Sequence, residues 1–103
     1  MNLINKVIEK LGYVRKGIPA GIEKDMADDP AFMQILDRCR PFTMTSPERM
    51  FSLYQAVRYL AQNRIQGDFV ECGVWRGGSS MVMSLTLQAL KDAHREIYLY
   101  DTY

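Results

Sequence analysis

The sequence contains few of the residues that build metal centres and disulfide scaffolds. Its 103 residues include two cysteines and one histidine, and Cys39 and Cys72 lie too far apart in the sequence to form a metal-type pair. Two isolated cysteines suit a reducing compartment better than a secreted, disulfide-bonded protein. We therefore expect a cytoplasmic location.

Long apolar runs and a strong net charge are also absent. No uncharged apolar run is long enough to cross a bilayer. Lys6, Glu9 and Lys10 interrupt the apolar residues near the N-terminus, which therefore does not resemble a signal peptide. The formal net charge of +1 gives no strong field for nucleic acid or for an anionic membrane. Neither is expected as a partner.

Helical patterns occupy most of the sequence before residue 67. The first predicts a surface helix that ends near Gly12, with an apolar face made of Leu3, Ile4, Val7, Ile8 and Leu11. Residues 13–27 contain Gly17, Pro19 and Gly21 and predict a loop. Asp28, Asp29 and Pro30 then mark the start of a second helix, and Pro41 marks its end. Its apolar face consists of Phe32, Ile35, Leu36 and Cys39.

The third helical pattern is the clearest in the chain. Thr45 can cap it and form a capping box with Glu48, or Ser46 can cap it with Pro47 at the first helical position. Apolar residues then recur at intervals of three and four, namely Met50, Leu53, Tyr54, Val57, Leu60 and Ala61.

Residues 67–80 organise the rest of the chain. The apolar run that contains Val70 and Cys72 predicts a buried strand, and a glycine-rich turn leads from it into a new helix at Ser79. A second strand follows that helix and ends in Asp101. Strand, helix and strand together occupy about the 30 residues of a βαβ unit. Because such crossovers are nearly always right-handed, the two strands are expected to be parallel neighbours.

The chemistry of this turn suggests a ligand. Gly73, Gly77 and Gly78 leave room for a ligand beside the backbone, and the helix-opening amides at residues 78–80 can bind a carboxylate or a phosphate. Glu71 can accept hydrogen bonds from an ammonium group. Asp101 ends the next strand, where dinucleotide-binding folds keep an acid for ribose hydroxyls. S-adenosylmethionine contains an ammonium, a carboxylate and a ribose, and it fits this set of groups.

Alternatives remain open on the residues alone. The spacing Gly-x-x-x-Gly-Gly differs from the Gly-x-Gly-x-x-Gly of nicotinamide and flavin sites. A nicotinamide-dependent oxidoreductase is still one alternative, and a non-catalytic nucleotide-binding fragment is another. The turn can also be a tight connection that holds no ligand. Trp75 can cover a ligand or pack within the turn.

Three segments carry a specific resemblance: residues 43–50, residues 67–79 and residues 100–102. Together they resemble the macrocin O-methyltransferase family of bacteria, over about residues 41–103. The resemblance implies methyl transfer from S-adenosylmethionine to a sugar hydroxyl of a natural product, with Mg²⁺ binding the acceptor diol. In that family the general base and the metal ligands lie beyond the position of Tyr103, so no catalytic or metal-binding residue can be named.

The resemblance also implies which residues bind the cofactor. Glu71, Gly73 and the loop to Ser79 would hold its methionine end, Asp101 its ribose, and the segment at Thr43 would close over it. The complete set of expected cofactor-binding residues is Thr43, Met44, Glu71, Gly73, Val74, Trp75, Gly77, Gly78, Ser79 and Asp101.

The predicted fold class is α/β, with N-terminal helices followed by the first βαβ unit of a Rossmann-like class I methyltransferase fold. Residues 1–66 form the predicted helical region, and residues 67–103 form the first, incomplete part of the S-adenosylmethionine-binding domain. We therefore expect an N-terminal fragment that is inactive alone. The expected partner is a small-molecule acceptor, and a homo-oligomer is left open.

Overall fold

The computed structural model describes residues 22–102, in which helices precede a small sheet. The elements in chain order are α1 (Lys24–Ala27), α2 (Pro30–Cys39), a 3-10 helix (Arg40–Phe42), α3 (Pro47–Gln62), β1 (Phe69–Cys72), α4 (Gly78–Ala89) and β2 (Ile97–Tyr100). The predicted helix at residues 3–11 lies outside the described residues. The predicted loop at 13–27 is wrong at its C-terminal end, because α1 forms there and buries Met26.

Helix α2 begins where the sequence predicts. Asp29 is its N-cap, and the Asp29 side chain accepts a hydrogen bond from the Phe32 amide at 3.0 Å. This bond satisfies one of the amides that have no partner within the helix. The whole predicted apolar face of α2 is buried. The α-helix ends at Cys39, ahead of Pro41, although the chain continues through Pro41 as a 3-10 turn.

Helix α3 uses the second of the two predicted caps. The Ser46 hydroxyl accepts a hydrogen bond from the Arg49 amide at 3.3 Å, and Pro47 occupies the first helical position. The capping box between Thr45 and Glu48 is therefore not the cap that forms. Met50, Tyr54 and Val57 of the predicted row are buried, and so is Phe51, which the row did not include. The other members of the row, Leu53, Leu60 and Ala61, are only partly buried.

Three aromatic rings form the centre of the helical core. The Phe32 ring lies 4.8 Å from the Phe51 ring and 5.2 Å from the Tyr54 ring, measured between centroids. The Tyr54 hydroxyl donates a hydrogen bond to the Asp29 carboxylate at 3.3 Å. A side chain from α3 therefore binds the same carboxylate that caps α2, which fixes the two helices relative to each other.

The two strands form the predicted parallel pair. Phe69 lies opposite Ile97, and Cys72 lies opposite Tyr100. Helix α4 crosses between them and packs on one face of the sheet, where Phe69 and Ile97 contact a buried cluster of Val57, Met83 and Leu87. The parallel strand–helix–strand prediction is confirmed, within a mixed helix and strand architecture.

The prediction that β1 is a buried strand is wrong. Its residues alternate between half-buried and exposed: Val70 keeps 61% of its surface exposed, and Cys72 is exposed as well. Helix α4 covers the face that carries Phe69 and Glu71. Nothing among residues 22–102 covers the opposite face. The apolar run predicted a strand buried on both faces, but β1 is covered on one face only.

Arg95 joins the end of α3 to the start of β1, an arrangement that the sequence reading missed. Its guanidinium donates hydrogen bonds to the carbonyls of Leu60, Ile65 and Gly67, the last at 2.7 Å, and lies 5.3 Å from the centre of the Phe69 ring. Helix α4 ends at Ala89, well before Arg95. The guanidinium therefore binds the Leu60 carbonyl in the last turn of α3 and two carbonyls of the segment that follows α3.

No helix within residues 22–102 is long and apolar enough to span a membrane.

Candidate functional site

The turn between β1 and α4 has a backbone that favours glycine. Gly73 and Gly77 have φ angles of 80° and 87°, in the left-handed region. The Gly73 amide donates to the Tyr100 carbonyl at 2.8 Å, so strand pairing continues one residue past β1. A Cβ added at either glycine would meet no atom within 4 Å. The turn therefore borders open space at the carboxyl ends of both strands.

Helix α4 begins at Gly78 without a side-chain cap. Its N-cap is Gly77, whose carbonyl accepts the first helical hydrogen bond from the Met81 amide at 2.9 Å. The amides of the first turn have no carbonyl partner within a helix, and the helix dipole makes this end attractive to anions. The uncapped start of α4 is compatible with the predicted binding of a carboxylate or a phosphate, which stays a prediction.

The Asp101 carboxylate closes the turn from the end of β2. One of its oxygens, Oδ2, accepts hydrogen bonds from the Val74 amide at 2.9 Å and the Trp75 amide at 3.1 Å. The other oxygen accepts from the Thr102 amide at 2.7 Å. The bonds from Val74, Thr102 and Trp75 hold the pKa of Asp101 below its ordinary value of 3.8. This carboxylate therefore stays ionised at neutral pH, bound to the turn.

Glu71 points to the helix side of the sheet. Its carboxylate accepts a hydrogen bond from the Ser80 hydroxyl in the first turn of α4. Ser80 is thus a member of the site that the expected set omitted. The prediction assigned a role only to the backbone amide of Ser80. Packing of α4 on the sheet also brings the Ser80 side chain to Glu71.

The 3-10 segment passes beside the start of α4. A Cβ added at Gly78 would lie 2.5 Å from the Thr43 Cβ and 2.6 Å from the Phe42 carbonyl oxygen. Gly78 is buried at this contact, so its missing side chain permits the close approach. The prediction that Gly78 leaves room for a ligand is therefore wrong, because the 3-10 segment occupies that space. Residues 43 and 78, both in the predicted set, are therefore neighbours, whereas Met44 keeps 79% of its surface exposed.

Trp75 stands at the outer edge of the turn. It keeps 53% of its surface exposed, and the Arg76 guanidinium lies 4.9 Å from the centre of its ring. Trp75 is not a packing residue of the described core, which leaves its ring available to a ligand. Of the remaining predicted residues, Val74 is buried and Ser79 is half-buried in the first turn of α4.

Two cavities flank the sheet at its opposite ends. One of about 390 Å³ adjoins the turn and is lined by Arg76, Gly77, Ser80, Met81, Ser84, Ile97 and Leu99. The other, of about 660 Å³, lies near the amino ends of the strands, where Gly67, Asp68 and Arg95 contribute to its lining. The smaller cavity is the one that meets the predicted site.

The described residues do not fit a magnesium ion. Between residues 22 and 102, no three His, Cys, Asp or Glu side chains come together as a metal-binding group. Divalent magnesium prefers several oxygen ligands around it. Glu71 and Asp101 are engaged separately, with the Ser80 hydroxyl and with backbone amides.

The described residues form a mixed α/β arrangement, with a parallel strand–helix–strand unit and a carboxylate near the carboxyl end of each strand. Open α/β sheets generally bind their ligands at that edge. The chain belongs to the macrocin-O-methyltransferase (TylF) family, whose model matches residues 13–103.

Two curated relatives from Streptomyces are similar to the chain. One is an 8-demethyl-8-(2,3-dimethoxy-alpha-L-rhamnosyl)-tetracenomycin-C 4'-O-methyltransferase of Streptomyces olivaceus, 33% identical over all of this chain and 40% of the relative. The other is a demethyldecarbamoylnovobiocin O-methyltransferase of Streptomyces niveus, 34% identical over 59% of this chain and 23% of the relative. The chain thus spans about two fifths of the first relative's length. No solved structure matches it significantly.

Proposed function

We propose that this chain is the cofactor-binding part of an O-methyltransferase that uses S-adenosylmethionine and methylates a hydroxyl group on a sugar or another natural product. The observation that carries the proposal is the meeting of three elements at one edge of the sheet. These are the acidic ends of β1 and β2, the open glycine turn, and the uncapped start of α4. Membership of an O-methyltransferase family supports it.

Each part of this edge suits one part of the cofactor. Glu71 carries the negative charge that an ammonium group requires, and the amides of residues 78–80 suit a carboxylate. Asp101 suits a ribose hydroxyl, and the exposed ring of Trp75 suits the face of a base. When bound, the cofactor supplies a methyl group on a positively charged sulfur. The chain's residues hold and orient the donor, which is the main way a protein accelerates such a transfer.

The acceptor class is proposed from the relatives. One is named for methylation at a 4' hydroxyl of a rhamnosyl compound and the other for methylation of a novobiocin precursor. A sugar hydroxyl is therefore the acceptor that we propose. Because the described residues assemble no metal-binding group, no step of the proposal passes through Mg²⁺.

Calorimetric titration of the purified protein tests the cofactor assignment. S-adenosylmethionine should bind, and Glu71→Gln should weaken that binding about tenfold by removing the charge that faces the ammonium. The same change should leave adenosine binding unaltered, because adenosine lacks the amino-acid end. Glu48→Gln, which removes an exposed carboxylate in the first turn of α3, is the matched control and should have no effect.

Two outcomes would overturn the assignment. NADH binding more tightly than S-adenosylmethionine would favour the nicotinamide-dependent alternative. Equal loss of adenosine and S-adenosylmethionine in Glu71→Gln would show that Glu71 supports the fold and does not bind an ammonium group. Mass spectrometry of rhamnosylated acceptors, incubated with S-adenosylmethionine and the full-length protein to which this cofactor-binding part belongs, then tests transfer. The expected product gains one methyl group.

A further inference from the structure

Asp101 is the acid expected to bind a ribose, yet its carboxylate is already occupied by the backbone. Oδ2 accepts the amides of both Val74 and Trp75, and the other oxygen accepts the Thr102 amide. An ionised carboxylate offers about four acceptor positions. Three are in use, so one remains for a ligand.

The two amides that share Oδ2 belong to a part of the turn in which one residue has an unfavourable backbone conformation. Trp75 has a φ angle of 52°, in the left-handed region that bulky residues rarely adopt. Such a conformation persists only when surrounding contacts hold it. The Asp101 carboxylate contacts the amide of this residue and the amide before it, and thus provides the contact that the backbone requires.

The bonds also cross between the two strands. Asp101 follows β2, whereas Val74 and Trp75 follow β1, 27 and 26 residues earlier in the chain. The carboxylate therefore joins the glycine turn to the neighbouring strand at the edge where the ligand is proposed to bind. Trp75, whose ring is half-exposed there, is oriented by a backbone that Asp101 holds.

We propose that Asp101 is a positioning residue: it binds the turn at Val74 and Trp75, holds Trp75 in its left-handed conformation, and leaves one acceptor position for one ligand hydroxyl. The first half needs no ligand. The second half rests on the proposed function and deepens it, because a ribose carries two neighbouring hydroxyls and Asp101 has capacity for one of them while the turn is held.

Amide hydrogen exchange measured by NMR tests the first half without any ligand. In Asp101→Ala, the Val74 and Trp75 amides should exchange at least about tenfold faster, because they lose their acceptor. The Gly73 amide precedes Val74 and donates to the Tyr100 carbonyl. It does not depend on Asp101 and should keep its protection. Asp101→Asn, which retains one acceptor oxygen, should restore part of the protection.

Asp68→Ala is the matched control. The Asp68 carboxylate accepts the Glu96 amide at 3.0 Å, a bond that also joins the two strand segments but at their other end. This variant should deprotect Glu96 and leave Val74 and Trp75 unchanged. Equal loss of protection at Gly73, Val74 and Trp75 in Asp101→Ala would overturn the proposal, because Asp101 would then only support the strand pair.

Tryptophan fluorescence gives an independent readout, since Trp75 is the single tryptophan of the chain. Acrylamide should quench Trp75 more strongly, and its anisotropy should fall, in Asp101→Ala but not in Asp68→Ala. Unchanged quenching and anisotropy in Asp101→Ala would contradict the role in holding Trp75.

Double-mutant cycles test the second half. Binding of adenosine, 2'-deoxyadenosine and 3'-deoxyadenosine is measured by calorimetry in the wild type and in Asp101→Ala. We expect coupling between Asp101 and one of the two hydroxyls. Removing that hydroxyl should weaken binding about tenfold in the wild type but not in Asp101→Ala, whereas removing the other hydroxyl should change the affinity equally in both proteins. Coupling to both hydroxyls would overturn the single-acceptor inference. Absence of all adenosine binding would instead overturn the proposed function, and the exchange and quenching results would stand.

Discussion

Phe32 in α2 is fully buried, whereas Tyr100 at the end of β2 keeps 60% of its surface exposed. The same contrast in burial separates the helical region, α2 and α3, from the two-stranded sheet. Helices α2 and α3 place a continuous set of apolar side chains in one core, while the sheet is covered by α4 on one face only. The helical region therefore obtains its stability from packed apolar side chains, whereas the carboxyl edge of the sheet is held by hydrogen bonds between partly exposed groups.

The difference shows how the site is held. In the sheet region, Asp101, Glu71 and Arg95 bind backbone or hydroxyl groups across long stretches of sequence. Such bonds position atoms accurately, but in exposed places they add little net stability. Substitutions in the helical core should therefore mainly change the free energy of unfolding, and substitutions at the sheet edge should mainly change local order.

The largest expected effect comes from Phe32→Ala. The Phe32 ring contacts both Phe51 and Tyr54, and its removal should lower the free energy of unfolding by about 3–5 kcal/mol. Urea denaturation followed by circular dichroism measures this loss. Tyr100→Ala is the control from the sheet and should change stability by no more than about 0.5 kcal/mol. Similar losses in the two variants would remove the contrast between the regions.

Leu53→Ala tests the junction between the two regions. Leu53 is partly buried and packs against both the helical core and the cluster beneath the sheet. We expect a loss of about 2 kcal/mol, at the low end for a leucine because the site is not fully enclosed. The exposed Tyr59→Ala on the same helix should be nearly neutral. A neutral Leu53→Ala would show that the two clusters do not depend on each other.

Gly78→Ala tests the contact between the 3-10 segment and α4. The new methyl group would overlap the Thr43 Cβ and the Phe42 carbonyl, so one segment must move, at a cost of about 1–2 kcal/mol. Ser79→Ala adds no atom at the next position and is the control. Chemical-shift changes at residues 42–44 should appear in Gly78→Ala alone. Their absence there would mean that the segment accommodates a side chain without moving.

The smallest expected effect concerns alkaline pH. Burial, followed by the nearby Asp29 carboxylate, raises the pKa of the Tyr54 hydroxyl above its ordinary value of 10.0. Because the folded-state pKa is the higher one, the stability from neutral Tyr54 is fully present below about pH 10 and is lost as the pH rises from there through the folded-state pKa. Tyr54→Phe should therefore lose less stability than the wild type on going from neutral to alkaline pH.

The expected difference between Tyr54→Phe and the wild type is on the order of a few tenths of a kcal/mol, measured by urea denaturation at both pH values. Tyr98→Phe is the control from the sheet. The pKa of Tyr98 is also raised, by its hydrogen bond to Glu96, but this side chain is exposed and solvent screens the interaction. A larger alkaline effect for Tyr98 than for Tyr54 would reverse the comparison.

Most of the fold could be predicted because its signals are local. Asp29, Pro30 and the apolar spacing after them determine the start and the buried face of α2 within a few residues. Gly73 and Gly77 likewise indicate a tight turn from the sequence, and both have left-handed φ angles in the structure. The contact between Thr43 and Gly78 could not be predicted, because spacing along the chain does not say which segment passes the start of a helix.

The sequence by itself determined the order of α2, α3, β1, α4 and β2, the parallel pairing and the family, because periodicity, caps and motifs depend on neighbouring residues. Only the tertiary structure decided that β1 is open on one face, that Ser80 binds Glu71, and that Asp101 holds the turn at Trp75. The physical reason is distance along the chain. Asp101 meets the turn across more than twenty residues, and packing α4 on the sheet is what brings these groups within hydrogen-bonding reach.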